Sequence, residues 1–217
     1  WRAAFVVAAC LGFVALWLRV SVEETDSFQV ADSRNAETGD KRNAFVRMIV
    51  DHPGASLRVF GITIAGTLLY YMWVSYMPTY AAVTTDLPLN QALIANIIAM
   101  VIFLTLLPFA GILSDKIGRK PTMAGFAGGF LVFAWPAFHF LDGSFISLLI
   151  IQIIGVVLLL GYSANCAVIM AEQFPPEVRA TGIGLPYALA VAIFGGTAPY
   201  ITTWMNTNGF GEFVWLY

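Results

Sequence analysis

Long apolar stretches separated by short polar gaps make up most of the chain. The first covers residues 3–18. Complete stretches follow at 57–83, 91–113, 121–141, 144–171 and 178–204, and another begins near 213. All the complete stretches after the first reach the ~20 mostly apolar residues that a helix needs to cross a bilayer core. None alternates polar and apolar positions as a half-buried strand would, so each predicts a helix. Turn formers fill the gaps: Asp86-Leu87-Pro88, Asp142-Gly143, Pro175-Pro176 and the segment from Asn206 to Gly211. Pro108, Pro136, Pro186 and Pro199 fall inside the stretches, where membrane helices tolerate them better than soluble ones do. The pattern predicts an all-α fold, a polytopic transmembrane helix bundle.

Residues 19–56 break the pattern. They carry five basic and seven acidic residues, and apolar residues are scarce before Phe45. This segment predicts a solvated loop joining two membrane segments. Its end, Phe45-Val46-Arg47-Met48-Ile49-Val50, is either a short helix on the membrane surface or an irregular linker.

Lys and Arg fix the orientation. Numbering the gaps in chain order, the first, third and fifth hold Arg19, Arg34, Lys41, Arg42, Arg47, Lys116, Arg119, Lys120 and Arg179, with Arg58 at the adjoining helix start. Only Arg2 lies on the other side, so ten of the 11 basic residues share one compartment. By the positive-inside rule the odd gaps are cytoplasmic. The alternation also checks the helix count, since one missed span would scramble it.

Composition agrees. The chain is 59% hydrophobic and 11% charged, against about 25% charged residues in soluble domains. A net charge of −2 implies neither a nucleic-acid partner nor a broadly basic lipid-binding surface. Cys10 and Cys166 lie in apolar stretches and read as small hydrophobes rather than as a disulfide or metal ligands. The chain starts at Trp1 without a methionine and stops inside an apolar stretch. A fragment of a longer protein is expected, and no signal peptide can be argued.

Two cytoplasmic gaps carry specific patterns. In Gly111-Ile-Leu-Ser-Asp115-Lys-Ile-Gly118-Arg119-Lys120, Gly118 permits a sharp reversal. Asp115 can accept hydrogen bonds or face a helix N-terminus, and Arg119 and Lys120 can anchor the turn at headgroups or pair with carboxylates. An ordinary positive-inside loop would explain the two cations but not the Gly-x-x-x-Asp-x-x-Gly-Arg spacing. In Glu172-Gln-Phe174-Pro175-Pro-Glu-Val-Arg179-Ala-Thr-Gly182, the prolines end one helix. Glu172 and Arg179 flank the turn, free to pair with each other or with Arg119. An exposed pair of that kind contributes under about 1 kcal/mol.

Together these motifs resemble the major facilitator superfamily. The first resembles its signature loop in the second-half copy, between helices eight and nine. The second resembles the Glu-x6-Arg segment between helices ten and eleven. Four further stretches are similar to the metabolite–proton symporter branch: Trp1-Arg2-Ala-Ala-Phe5, Leu18-Arg19 through Phe28, Tyr76-Met-Pro78-Thr79-Tyr80, and Ala192 to Pro199. The branch has prolines around the Glu-Thr pair at the end of helix six, where this chain has Glu23 and Asp26.

The resemblance implies the second half of a twelve-helix major-facilitator fold. Residues 1–18 become helix six, 19–56 the cytoplasmic loop between halves, and 57–217 the C-terminal bundle of helices seven to eleven with the start of twelve. It implies a secondary active transporter in a bacterial cytoplasmic (inner) membrane, working by alternating access. The expected activity is proton symport of a small organic acid or zwitterion, with a sugar or drug transporter of the same superfamily as the alternative. The expected partners are a small solute, protons, the lipid bilayer and the N-terminal six-helix half, which would hold the proton site. No cofactor is expected, only the proton gradient. A membrane-embedded enzyme would need a nucleophile–base pair or clustered metal ligands. The sequence has no His-Glu-x-x-His, no Gly-x-Ser-x-Gly and no histidine cluster, so no catalytic or metal residues are assigned. A non-transporting receptor or scaffold is the remaining class.

Ionisable residues at membrane depth are the default functional candidates, and this chain has almost none. Asp86, Asp142 and Glu212 read as turn residues, and His139 as an interfacial histidine. Tyr70, Trp73, Tyr76 and Tyr80 recur at helical spacing. Such a face either lines a solute cavity or forms an aromatic packing stripe, and for Tyr80 an interfacial belt. Asn96, Gln152, Tyr162 and Asn165 are polar at membrane depth and either bond neighbouring helices or touch the solute. The substrate path is therefore assigned to Tyr70, Trp73, Tyr76, Asn96, Tyr162 and Asn165. The cytoplasmic gating motif is assigned to Gly111, Asp115, Gly118, Arg119, Lys120, Glu172 and Arg179. Gly182, Gly184, Gly195 and Gly196, with Pro186 and Pro199, suit either a moving helix or static close packing.

Overall fold

A computed structural model describes residues 2–21, 50–176 and 178–217. Two compact units divide the chain, residues 1–44 and 45–217. The first contains helix α1 (Arg2–Ser21), twenty residues without an acid in its first turn. Of the loop expected over 19–56, residues 22–49 lie outside the described residues, and with them all but Val50 of the surface helix considered at its end; residues 19–21 continue α1 past the expected boundary at 18.

The second unit is a helical bundle: α2 (Pro53–Thr84), α3 (Leu89–Ile117), α4 (Arg119–His139), α5 (Phe145–Glu172) and α6 (Arg179–Thr207). All five are long and apolar enough to cross a membrane. A 3₁₀ turn, Gly211–Leu216, stands where a further apolar stretch was expected to start. The α3–α5, α2–α6 and α4–α5 pairs pack most closely.

Helix boundaries depart from the expected ones for local reasons. α2 starts at Pro53 rather than 57, because proline suits the first helical turn and Ser56 Oγ donates to His52 O (3.1 Å). The Gly111–Lys120 segment is scarcely a loop. α3 runs through Asp115 and Lys116 to Ile117, and α4 starts at Arg119. The whole reversal falls on Gly118, at φ 97°, in the region that glycine adopts without strain. At the opposite end Ser144 caps α5 by accepting the Ser147 amide (3.1 Å). Asp142 accepts the Ser144 amide (2.9 Å), which holds its carboxyl below the usual carboxylate range.

Two helices contain π-helical turns, Tyr71–Tyr76 in α2 and Val191–Gly195 in α6. Each lies just before a proline, Pro78 or Pro199. A π-turn widens the backbone bond to i→i+5 and shifts every later side chain around the axis. The two turns bring their helices together at Gly195, where a Cβ would stand 2.6 Å from Thr67 Cγ2 and 2.9 Å from the Tyr71 ring. Gly184 and Gly196 face open space and serve no such contact.

Candidate functional site

A cavity of about 310 Å³ opens between α2, α5 and α6 beside the α2 π-turn. Tyr70, Tyr71, Tyr162 and Tyr187 form its walls, with Thr67, Ser163 and Cys166 between them. No charged side chain among the described residues lines it. Tyr162 is the inner wall, at 6% exposure, and its ring lies 5.5 Å from that of Phe126. Gly66 makes room for it: a Cβ there would stand 2.0 Å from Tyr162 Cζ. Tyr70 and Tyr187 flank the mouth, 38% and 43% exposed. Hydroxyl donors and ring faces in such a recess can bind a small polar solute through hydrogen bonds and contact with a cationic group.

Of the six residues assigned to a substrate path, Tyr70 and Tyr162 meet in this cavity. Trp73 does not. It is 2% exposed, its ring is surrounded by Phe130 (5.2 Å), Phe133 (5.7 Å) and Phe138 (6.1 Å), and Nε1 donates to Ile151 O (3.3 Å). Tyr76 turns to α6, where its hydroxyl shares a hydrogen bond with Thr203 Oγ1 (2.8 Å). The expected single aromatic face is split because the π-turn begins immediately after Tyr70. Tyr80 packs on Phe138 (5.1 Å) and borders a larger recess of about 770 Å³ at the opposite end of the bundle from Gly118, shared with His139, Asn206 and Glu212. His139 stacks on Trp135 there, at 4.8 Å.

Asn96 and Asn165 act between helices. Asn96 Nδ2 donates to Val74 O (3.1 Å). In an α-helix that carbonyl would accept from residue 78, but Pro78 has no N–H. Gln152 Nε2 donates in turn to Asn96 Oδ1 (3.4 Å), and Gln152 Oε1 is buried without a partner among the described residues. Asn165 accepts from Ser114 Oγ and donates to Gly161 O (2.8 Å) and Thr122 Oγ1 (3.2 Å).

At the lysine- and arginine-rich end of the bundle Arg119 forms an ion pair with Glu172, linking the α3–α4 turn to the end of α5. Arg179 does not join that pair; its Nε donates to Phe174 O (3.3 Å). Arg58 Nη1 reaches Gln173 Oε1 (3.5 Å). Phe174 is buried under Gly182, where a Cβ would touch its ring at 2.7 Å. Asp115 and Lys120 are exposed, and Gly111 faces open space. Among the described residues no group of three His, Cys, Asp or Glu could hold a metal.

The cavity residues not assigned from the sequence are Gly66, Thr67, Tyr71, Ser163, Cys166, Tyr187 and Val191. Tyr187 follows Pro186 in a glycine-rich segment, and that proximity was its only signal.

The family model described as Major Facilitator Superfamily matches residues 1–210. The chain is similar to the alpha-ketoglutarate permease of Escherichia coli (strain K12), 32% identical over 211 residues, covering 96% of this chain and 47% of that protein. It is similar to the ectoine/proline transporter ProP of Corynebacterium glutamicum, 31% identical over 220 residues, covering 94% and 42%. A citrate-proton symporter of Salmonella typhi is 27% identical over 205 residues, covering 94% and 46%. The chain spans about half the length of the curated relatives it matches. No solved structure matches it significantly.

Proposed function

The chain belongs to the major facilitator superfamily, and from that premise we propose that the full-length protein is a proton-coupled symporter of a small organic acid or zwitterion. It would work by alternating access in a bacterial cytoplasmic (inner) membrane, as a transporter and not an enzyme. The supporting observation is the uncharged, tyrosine-walled cavity beside the α2 and α6 π-turns. Transporters place solutes at irregular helix segments near the midplane, and an irregular segment of α2 and another of α6 border this recess. Named relatives carry alpha-ketoglutarate, ectoine, proline or citrate. A wall without cations leaves a solute's carboxylate to the phenol hydroxyls or to the other half of the protein. It also suits a zwitterion, which balances its own charge. We place the proton site in that other half, a reading compatible with a cavity lining that has no carboxylate or histidine among the described residues.

The test is uptake by full-length protein in proteoliposomes under an imposed pH gradient. The solutes are labelled 2-oxoglutarate, citrate, proline, glycine betaine and glucose. Saturable uptake of one of the first four, abolished by a protonophore, is expected. Gradient-driven uptake of glucose alone would move the protein to the sugar branch, and no uptake of any solute would sink the symporter reading. Tyr162→Phe and Tyr187→Phe are expected to raise the half-saturation concentration several-fold, as loss of a hydrogen bond of about 1 kcal/mol implies.

A further inference from the structure

α5 is interrupted between the cavity and the cytoplasm. Its first segment ends at Ser163, and the second runs from Cys166 to Glu172. At the break the Asn165 amide bonds back three residues to Tyr162 O (3.0 Å). The Asn165 side chain, which is buried, fills the gap left in the helix by donating to Gly161 O (2.8 Å). The same carboxamide reaches two other helices. It accepts from Ser114 Oγ of α3 and donates to Thr122 Oγ1 of α4 (3.2 Å). Thr122 Oγ1 donates to Arg119 O (2.8 Å). Gly161 lets α4 approach, since a Cβ there would lie 2.7 Å from Thr122 O.

The two sides of this node belong to different parts of the molecule. Tyr162, Ser163 and Cys166, adjoining Asn165 in sequence, line the cavity. Ser114 and Arg119 belong to the cytoplasmic turn, and the short segment that starts at Cys166 ends on Glu172, the partner of Arg119. That segment is about 10 Å long at the α-helical rise. It is held to the turn at both ends.

We propose that Asn165 is a positioning residue that couples the α5 wall of the cavity to the cytoplasmic α3–α4 turn, so that the wall and the turn move as one unit. The proposal rests on reading the cavity as the solute site. A carboxamide suits this role because its donor and acceptor faces are distinct, and each here holds a different helix. Water is scarce at this depth, so a lost partner is not readily replaced.

Full-length wild type, N165A, N165D and S114A are compared in proteoliposomes with whichever solute of the panel wild type takes up. Coupling predicts a maximal rate at least tenfold lower in N165A and severalfold lower in S114A, with half-saturation within twofold of wild type. N165D keeps the acceptor for Ser114 and loses both donors, so its rate is expected to fall between those of wild type and N165A. A raised half-saturation with an unchanged maximal rate would assign Asn165 to solute binding and overturn the coupling. A second readout needs no solute: the rate at which N-ethylmaleimide labels Cys166 in the solubilised protein, followed by mass spectrometry of its peptide. Freeing the break is expected to speed labelling at least tenfold in N165A and S114A, and to leave S147A, at the far end of α5, at the wild-type rate. Equal labelling in wild type, N165A and S114A would also overturn it. If wild type takes up none of the panel, the solute reading fails while the labelling still decides the coupling. If N165A does not fold, N165D and S114A decide it by the same measurements.

Discussion

Tyr70 and Trp73 stand three positions apart in α2 and meet opposite surroundings. Tyr70 borders an open cavity, whereas Trp73 is clasped by three phenylalanines and bonds a carbonyl of α5. Their substitutions should therefore separate. Trp73→Ala removes one of the largest fully buried side chains and is expected to lower stability by about 3–5 kcal/mol, read as thermal unfolding in detergent. Gly155→Ala attacks the same contact from the other side. The added Cβ would stand 1.5 Å from Trp73 Nε1, so the ring must move, at a cost of about 1–3 kcal/mol. Tyr70→Phe is expected to leave the unfolding temperature within a degree or two and to shift half-saturation for the transported solute. A Trp73→Ala protein that unfolds like wild type would contradict the packed surroundings described for that ring.

At the scale of the element, the irregular turn of α2 depends on a pairing between Pro78 and Asn96. Proline leaves Val74 O without its α-helical donor, and Asn96 Nδ2 takes that place. Asn96→Leu should leave the carbonyl unsatisfied, costing about 1–3 kcal/mol, and should also strand the Gln152 amide that donates to Asn96 Oδ1. In a Pro78→Ala background residue 78 regains an N–H, so the carbonyl's share of the cost should fall while the Gln152 share remains. A double-mutant cycle measures that coupling, and strict additivity of the two substitutions would refute the pairing. This turn also marks where sequence reading stops. The spans were legible because lipid imposes a length on each apolar stretch and a side on each cation. The cluster of Tyr70, Trp73 and Tyr76 was read on regular helical geometry, and a single π-turn invalidates that geometry. Asn96 and Asn165 were recognisable as polar groups at membrane depth. Their partners, Val74 O in one case and Ser114 with Thr122 in the other, come from helices distant in sequence. Gly118 was legible as a sharp reversal. That the reversal would be one residue long was not, because Asp115 and Lys116 read equally well as loop.

Across the whole bundle, the two ends differ in chemistry. One end gathers Arg58, Lys116, Arg119, Lys120 and Arg179 with Glu172, and the other carries Asp86, Asp142, His139 and Glu212 without Lys or Arg. Opposite-side tagging of the 116–120 turn and the Asp86 turn is the expected outcome of accessibility labelling. At the basic end, the Arg119–Glu172 pair joins the α3–α4 turn to α5, and its side chains are 35% and 57% exposed. A pair so exposed contributes about 0–1 kcal/mol to stability, so folding alone gives little reason for its placement. A contact held in one conformation and absent from another would bias the exchange between them. Arg119→Glu is therefore expected to unfold at nearly the wild-type temperature, transport severalfold more slowly, and leave half-saturation within about twofold. The reversed pair, Arg119→Glu with Glu172→Arg, restores opposite charges across the same gap and should recover most of the rate. Both effects should shrink at high salt, because exposed charges are screened over about 10 Å at 0.1 M. A double reversal as slow as the single one, in a protein that folds normally, would show that the Arg119 side chain acts on something other than Glu172.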